Sequence, residues 1–450
     1  MSKGIPEGIS RRELLRQGAL LGGSGLFLST LGAPWSRLLA ATQACPGTLP
    51  GRYLQIVLSG GWDSSLATDP VVGSKASSAA YQPVYQTLET ATVSGKNSLV
   101  VGAGLDTALP AFQALPTAFV NGMLVEVTAH ELASAYLMTG RLSLSRSREY
   151  PACSALLGAG AGCFPAHVVV GESIPLGDTR QTHPPLHASS MESMRGMLAG
   201  PLSGDEPLDP GVLNDAQAAV DALNQLHMAK QGVKAQELLQ PWVTSEQSMM
   251  DLYSRGYAQQ FQLTSELSER YGVEDLWDEF AVLPGALMVL KSGLCPFVTV
   301  TIDGFDTHED HLTSHTALLR SFGTGLSALV EDLQATPDPD DPERSLAETT
   351  TIAITSEFVR TPLFNLADGT DHWPSGSMIL MGRGIQDGVV VGATGDDAFA
   401  LGWANDAAVE RDATTALKPE HVVATVLDIA GLGSEALSEI SEVRIDALRG

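Results

Sequence analysis

The chain has 450 residues, 44% of them hydrophobic, and a net charge of -26. That is apolar material for a large core, which excludes disorder as the overall state. The acidity excludes a nucleic-acid partner, which it would repel, and beyond residue 45 no apolar run reaches the about twenty residues that span a bilayer.

Residues 1–44 read as a targeting segment. Ser10-Arg11-Arg12-Glu13-Leu14-Leu15 gives a basic start, 18–31 is mildly apolar and diluted by Gly and Ser, and Thr42-Gln43-Ala44 offers small residues where a signal peptidase reads. The pattern resembles a twin-arginine export signal. It implies passage through the twin-arginine export machinery to a periplasmic or secreted location, and a protein folded before export can take up a metal in the cytoplasm. Cys45, Cys153, Cys163 and Cys295 lack zinc spacing. A Cys153 to Cys163 loop disulfide fits an oxidising compartment, although spacing leaves the pairing open.

Residues 45–450 read as one domain. A strand over 53–58 ends in Ser59-Gly60-Gly61-Trp62-Asp63, where the glycines allow a tight turn with Asp63 at the strand tip. A second strand over 123–127 is followed by Thr128-Ala129-His130 and a helical run over 131–138. Residues 141–210, rich in Gly, Pro and Ser, read as long surface connections. Helical periodicity then predicts an insertion over about 212–290. A strand over 297–302 ends in Asp303-Gly304-Phe305-Asp306-Thr307-His308; a helix over 312–333 follows, with His311 and His315 as solvated helix residues, and 335–343 is an exposed Pro/Asp loop. The run 351–355 is a buried central strand whose loop carries Glu357, Arg360, Asn365, Asp368, Asp371 and His372. Strands over 377–381 and 388–391 and a helix over 419–430 opened by proline close the chain. The alternation predicts an α/β fold with a mostly parallel central sheet flanked by helices.

Ligands of open α/β sheets bind at the carboxyl ends of the strands. Four predicted strands end there in Asp63, in His130, in Asp306 with His308, and in Glu357 with Asp371 and His372. Carboxylates and imidazoles without thiols suit a hard-to-borderline divalent metal. One such residue after a strand is ordinarily a turn or cap residue; the coincidence of four carries the expectation. Arg360 reads either as a paired donor to an anionic substrate oxygen or as a structural ion pair, and Asn365 is placed with it on the substrate side.

The twin arginines, LSGGWD at 58–63, HxxASAYLMTGR at 130–141, FDTH at 305–308, SEFVRTP at 356–362 and GTDH at 369–372 together span the mature chain. In this combination the chain resembles the exported bacterial proteins called domain of unknown function 1501, grouped with the alkaline phosphatase and sulfatase superfamily. The resemblance implies that fold, and one or two divalent metal ions at Asp63, Asp306, His308, Glu357, Asp371 and His372. Phe358 stands where the superfamily has a histidine after the acid, which removes a ligand. His130 stands at the place of the nucleophile, and an imidazole can be nucleophile, ligand or general acid; Thr128, Ser64 and Ser65 are the hydroxyl alternatives. The implied function is hydrolysis or transfer at phosphate or sulfate esters, on an anionic small molecule or glycan ester. The alternative is an inactive, metal-stabilised binding or assembly protein on the same fold, and a purely structural exported protein comes third.

Overall fold

The computed structural model describes residues 51–143, 150–161, 165–177, 185–199, 256–404, 407–409 and 415–450. The chain divides into two compact units, residues 1–42 with 197–256 and residues 43–196 with 257–450. The targeting segment and residues 212–255 of the expected insertion lie outside the described residues. The second unit is built around one eight-stranded sheet.

Its strands in chain order are β1 (Arg52–Leu58), β2 (Thr90–Val93), β3 (Lys96–Gly102), β4 (Thr117–Leu124), β5 (Val168–Val170) and β6 (Leu186–Ala188). They continue with β7 (Phe297–Ile302), β8 (Thr350–Thr355), β9 (Val359–Arg360), β10 (His372–Trp373), β11 (Ser375–Gly382) and β12 (Val389–Val391). The central sheet runs β12-β4-β11-β8-β1-β7-β5-β6. Its pairings are parallel except those that β11 makes with β4 and β8. The expected mostly parallel sheet is therefore present, with one reversed strand. β1, β7 and β8 are buried along their whole length, as near-continuous apolar runs are when helices cover both faces.

The flanking helices are α1 (His130–Thr139), α2 (Cys153–Ala161), α3 (Val282–Ser292), α4 (His311–Ala335) and α5 (Pro419–Ala430). α1, α2 and α5 pack together, and α3 packs on α4 and β7. Local sequence sets their ends. Pro419 opens α5, and Gly140, Gly293 and Gly431, all left-handed, stop α1, α3 and α5. Leu319, Phe322, Leu326, Leu329 and Leu333 form the buried stripe of α4.

Several expectations need correction. The strand expected over 123–127 lies at Thr117–Leu124. Within it the Asn121 amide donates to the Thr68 carbonyl (2.8 Å), and Gly122 has φ +63 against the Ala393 carbonyl. The stretch 141–210 is not all surface connection, since α2, β5 and β6 lie within it; three valines suffice for a strand when both faces are covered. Cys153 is a buried free thiol whose Sγ–H donates to the Met138 carbonyl (3.3 Å), so it forms no loop disulfide; Cys163 lies outside the described residues. The Pro/Asp loop is not wholly exposed, because Asp338 is buried and accepts two hydrogen bonds from the buried Arg52 guanidinium (2.6 and 2.8 Å) at the amino end of β1.

Candidate functional site

Register brings the site together. Leu58 pairs with Ile302, and Val57 with Thr355, so the carboxyl ends of β7, β1 and β8 stop level with one another. β4 points the same way and delivers His130 at the first turn of α1, while the reversed β11 enters the sheet at that edge and places His372 just before it. Three of the loops involved hold a non-glycine residue at positive φ, namely Glu126, Asp310 and Asp368. Such backbone is kept only where surrounding contacts over-determine it.

Three imidazoles converge on the Asp306 carboxylate. His308 Nε2 is 3.0 Å and His372 Nε2 3.2 Å from Oδ1, and His130 Nε2 is 3.5 Å from Oδ2. His308 Nε2 and His372 Nε2 are 3.2 Å apart. Each ring's other nitrogen faces a fixed acceptor: His130 Nδ1–H donates to Glu357 Oε1 (2.7 Å), His308 Nδ1–H to Asp371 Oδ1 (3.1 Å), and His372 Nδ1–H to the Thr128 carbonyl (2.9 Å). In neutral rings this leaves every Nε2 as a bare lone pair aimed at a carboxylate oxygen. Lone pairs so opposed need a cation or protons between them, and metal-binding histidines are held by this same outer hydrogen bond. Ligand atoms of His130, Asp306 and His372 all lie within 4.8 Å of one another, and the nitrogen-rich donor set suits a borderline divalent ion. The residues present therefore fit a metal ion.

The other expected ligands stand behind these. Glu357 is buried and accepts the Gly60 N–H (2.8 Å) as well as His130, so it orients His130. Asp371 orients His308 in the same way. Phe358 is buried and packs its ring on His372 (centroids 4.4 Å apart) and His130 (5.0 Å). His130 has its pKa raised, chiefly by the Glu357 hydrogen bond against partial burial. Burial pushes the Asp306 carboxyl up, yet hydrogen bonding and charge from Arg360 outweigh it and hold the group below its usual range.

Arg360 is turned into the protein. Its side chain is wholly buried: Nε–H donates to the Gly61 carbonyl (2.9 Å), Nη1–H to Thr370 (2.9 Å), and Nη2–H to Gly60, Phe305 and Asp306. These contacts match the structural alternative, an ion pair with Asp306, and tie Arg360 to carbonyls of three loops. Asn365 shapes its loop, with Oδ1 accepting Ala367 N–H (2.9 Å) and Gly369 N–H (3.0 Å) and Nδ2–H donating to the His308 carbonyl (3.1 Å).

Asp63 is drawn away from the cluster. It is buried, its Oδ2 accepting from Tyr85 O–H (2.5 Å) and His311 Nε2–H (2.9 Å), and its N–H donates to His315 Nε2 (2.8 Å). Burial raises its pKa, but the His311 contact and its other partners more than reverse this. His311 and His315 are fully buried, not solvated, and burial with the neighbouring His311 pushes His315 far below its ordinary pKa. Sequence reasoning missed this group; the signal was two histidines four apart on a helix starting three residues after FDTH. Glu172 after β5 was also missed. It reaches the same edge, 3.5 Å from Ser59 Oγ, and burial and the charges of Asp303 and Glu357 raise its pKa.

Fold and site define an α/β protein with a histidine and carboxylate cluster at the carboxyl edge of a mostly parallel sheet. The chain belongs to the family described as protein of unknown function (DUF1501), whose model matches residues 56–437. No curated protein matches it. Among solved structures it is similar to the lipoteichoic acid synthase LtaP from Listeria monocytogenes, with 8% identity, TM-score 0.36, and 87% of this chain and 74% of that one covered. It is also similar to Ps i-CgsB, with 10% identity, TM-score 0.38, and coverages of 87% and 75%.

Proposed function

We propose that this protein is a metal-dependent hydrolase or transferase of phosphate or sulfate esters, with Asp306, His308, His372 and His130 able to hold the ion. The observation that carries the reading is the convergence of three outward-braced Nε2 atoms on one carboxylate at the open sheet edge. A divalent ion bound there would supply polarisation of an ester oxygen and a water of lowered pKa. The chain's own groups do the rest. Buried Glu357 fixes the proton of His130 on Nδ1, so that its half-exposed Nε2 is free as ligand, base or nucleophile. Arg360 balances the charge of Asp306 from beneath. His308 and His372 are fixed in orientation by Asp371 and Thr128.

A second reading is a metal-stabilised binding or assembly protein, favoured by the described thiols being withdrawn from chemistry. The free thiols Cys153 and Cys295 are buried against main-chain carbonyls. Elemental analysis of protein purified without chelator, beside Asp306→Ala, tests the shared metal claim. About one or two equivalents lost in the variant are expected, and metal-free folded wild type would overturn it. A screen of phosphate and sulfate monoesters and diesters on the metal-loaded protein separates the readings. Turnover abolished by Asp306→Ala supports the enzyme; its absence throughout favours the binding protein.

A further inference from the structure

The buried imidazoles of α4 join the two loops that carry the cluster. Thr307 lies between Asp306 and His308, and its Oγ1 is 2.9 Å from His315 Nδ1 and 2.6 Å from His311 Nδ1. Thr370, beside Asp371, places its Oγ1 3.0 Å from the same His311 nitrogen. Proton directions follow from the ends. Asp63 N–H donates to His315 Nε2, so His315 carries its proton on Nδ1 and donates to Thr307 Oγ1; Thr307 O–H then donates to His311 Nδ1, and His311 Nε2–H returns to the Asp63 carboxylate. Every link has one donor and one acceptor. The ring is buried throughout and touches none of the Nε2 atoms of the cluster.

We infer that this closed ring, Asp63 to His315 to Thr307 to His311 and back, is a positioning device that holds 305–308 and 369–372 at the spacing the metal site requires. Asp63, His311, His315 and Thr307 are positioning residues, not ligands. The inference rests on the metal reading above. Replacing Thr307 by valine keeps shape and burial but leaves His315 Nδ1–H without an acceptor and removes a donor to His311, whereas serine restores the hydroxyl.

The test compares wild type, Thr307→Val and Thr307→Ser in two assays. Zinc affinity by competition with a chromophoric chelator should fall about 10- to 100-fold in the valine variant, as for other outer-shell losses, and recover to within about threefold in serine. Amide hydrogen exchange on the metal-free proteins should show lost protection at 305–308 and 369–372 in valine alone, with β1 and β8 unchanged. Folded valine protein with wild-type affinity and protection would overturn the inference. Wild type that binds no zinc would overturn the metal reading instead, and exchange alone then decides the ring by the same criterion. If the valine protein does not fold, Thr370→Val, which removes the second hydroxyl on His311, is judged by the same outcomes.

Discussion

His130 shows how one side chain gains a defined role from its surroundings. Glu357, itself held by the Gly60 N–H, fixes which nitrogen carries the proton, and Phe358 holds the ring from the side. With its side chain 42% exposed, His130 contributes little burial, so His130→Asn should leave the melting curve unchanged. Turnover of any ester found in the screen should fall about a hundredfold or more. Equal turnover would remove His130 from the chemistry. Its motif was legible, because a histidine opening a helical run a few residues after a strand is visible in sequence. The division of six candidate ligands into those that face the cluster and those that brace it was not: Asp63, Glu357 and Asp371 read alike in sequence, and only their hydrogen-bond partners differ.

At the scale of the element, the site depends on how closely the turn after β1 approaches the tip of β7. Gly60 has φ +120, and a Cβ there would lie 2.1 Å from Asp306 N. No side chain fits that gap. Gly60→Ala should cost about 2 kcal/mol in strained backbone and move Asp306 and Glu357 apart, measured as a lower urea midpoint together with lost metal. Wild-type metal content in a destabilised variant would separate turn strain from site geometry. β1, β7, β8 and α5 were readable as apolar runs or capped periods. β5 and β6 were not, because three-residue strands between loops take their identity from the neighbours that pair with them.

Across the whole molecule, stability is also set far from the site. At the opposite edge of the sheet, burial pushes Asp338 up but hydrogen bonds from Arg52 and Thr349 overcome it, lowering its pKa from 3.8 to about 2. A carboxylate depressed in the folded state stabilises above its unfolded pKa and loses that contribution as the pH falls towards its folded value. Asp338→Asn should therefore cost about 3 kcal/mol at neutral pH, the scale for breaking a buried pair. The gap to wild type should close as the pH drops from about 4 to 2. A pH-independent gap would show packing, not charge, at work. We further propose twin-arginine export. Replacing Arg11 and Arg12 by lysines should strand the folded, uncleaved precursor in the cytoplasm, whereas continued export would point to another route. No helix among the described residues is long and apolar enough to cross a membrane.

By itself the sequence determined the class of fold, the family, and the polar residues that end its strands, since apolar runs, turn residues and helix caps are local and each is written in consecutive residues. What only the tertiary structure decided is which tips share a site and in what role. The reversed β11 brings His372 to the edge that β1, β7 and β8 define, Arg360 spends its donors on carbonyls from three loops, and the α4 histidines draw Asp63 inward. These are partnerships between residues tens to hundreds of positions apart. Burial and proton direction, which separate a ligand from its brace, exist only once those partners have met.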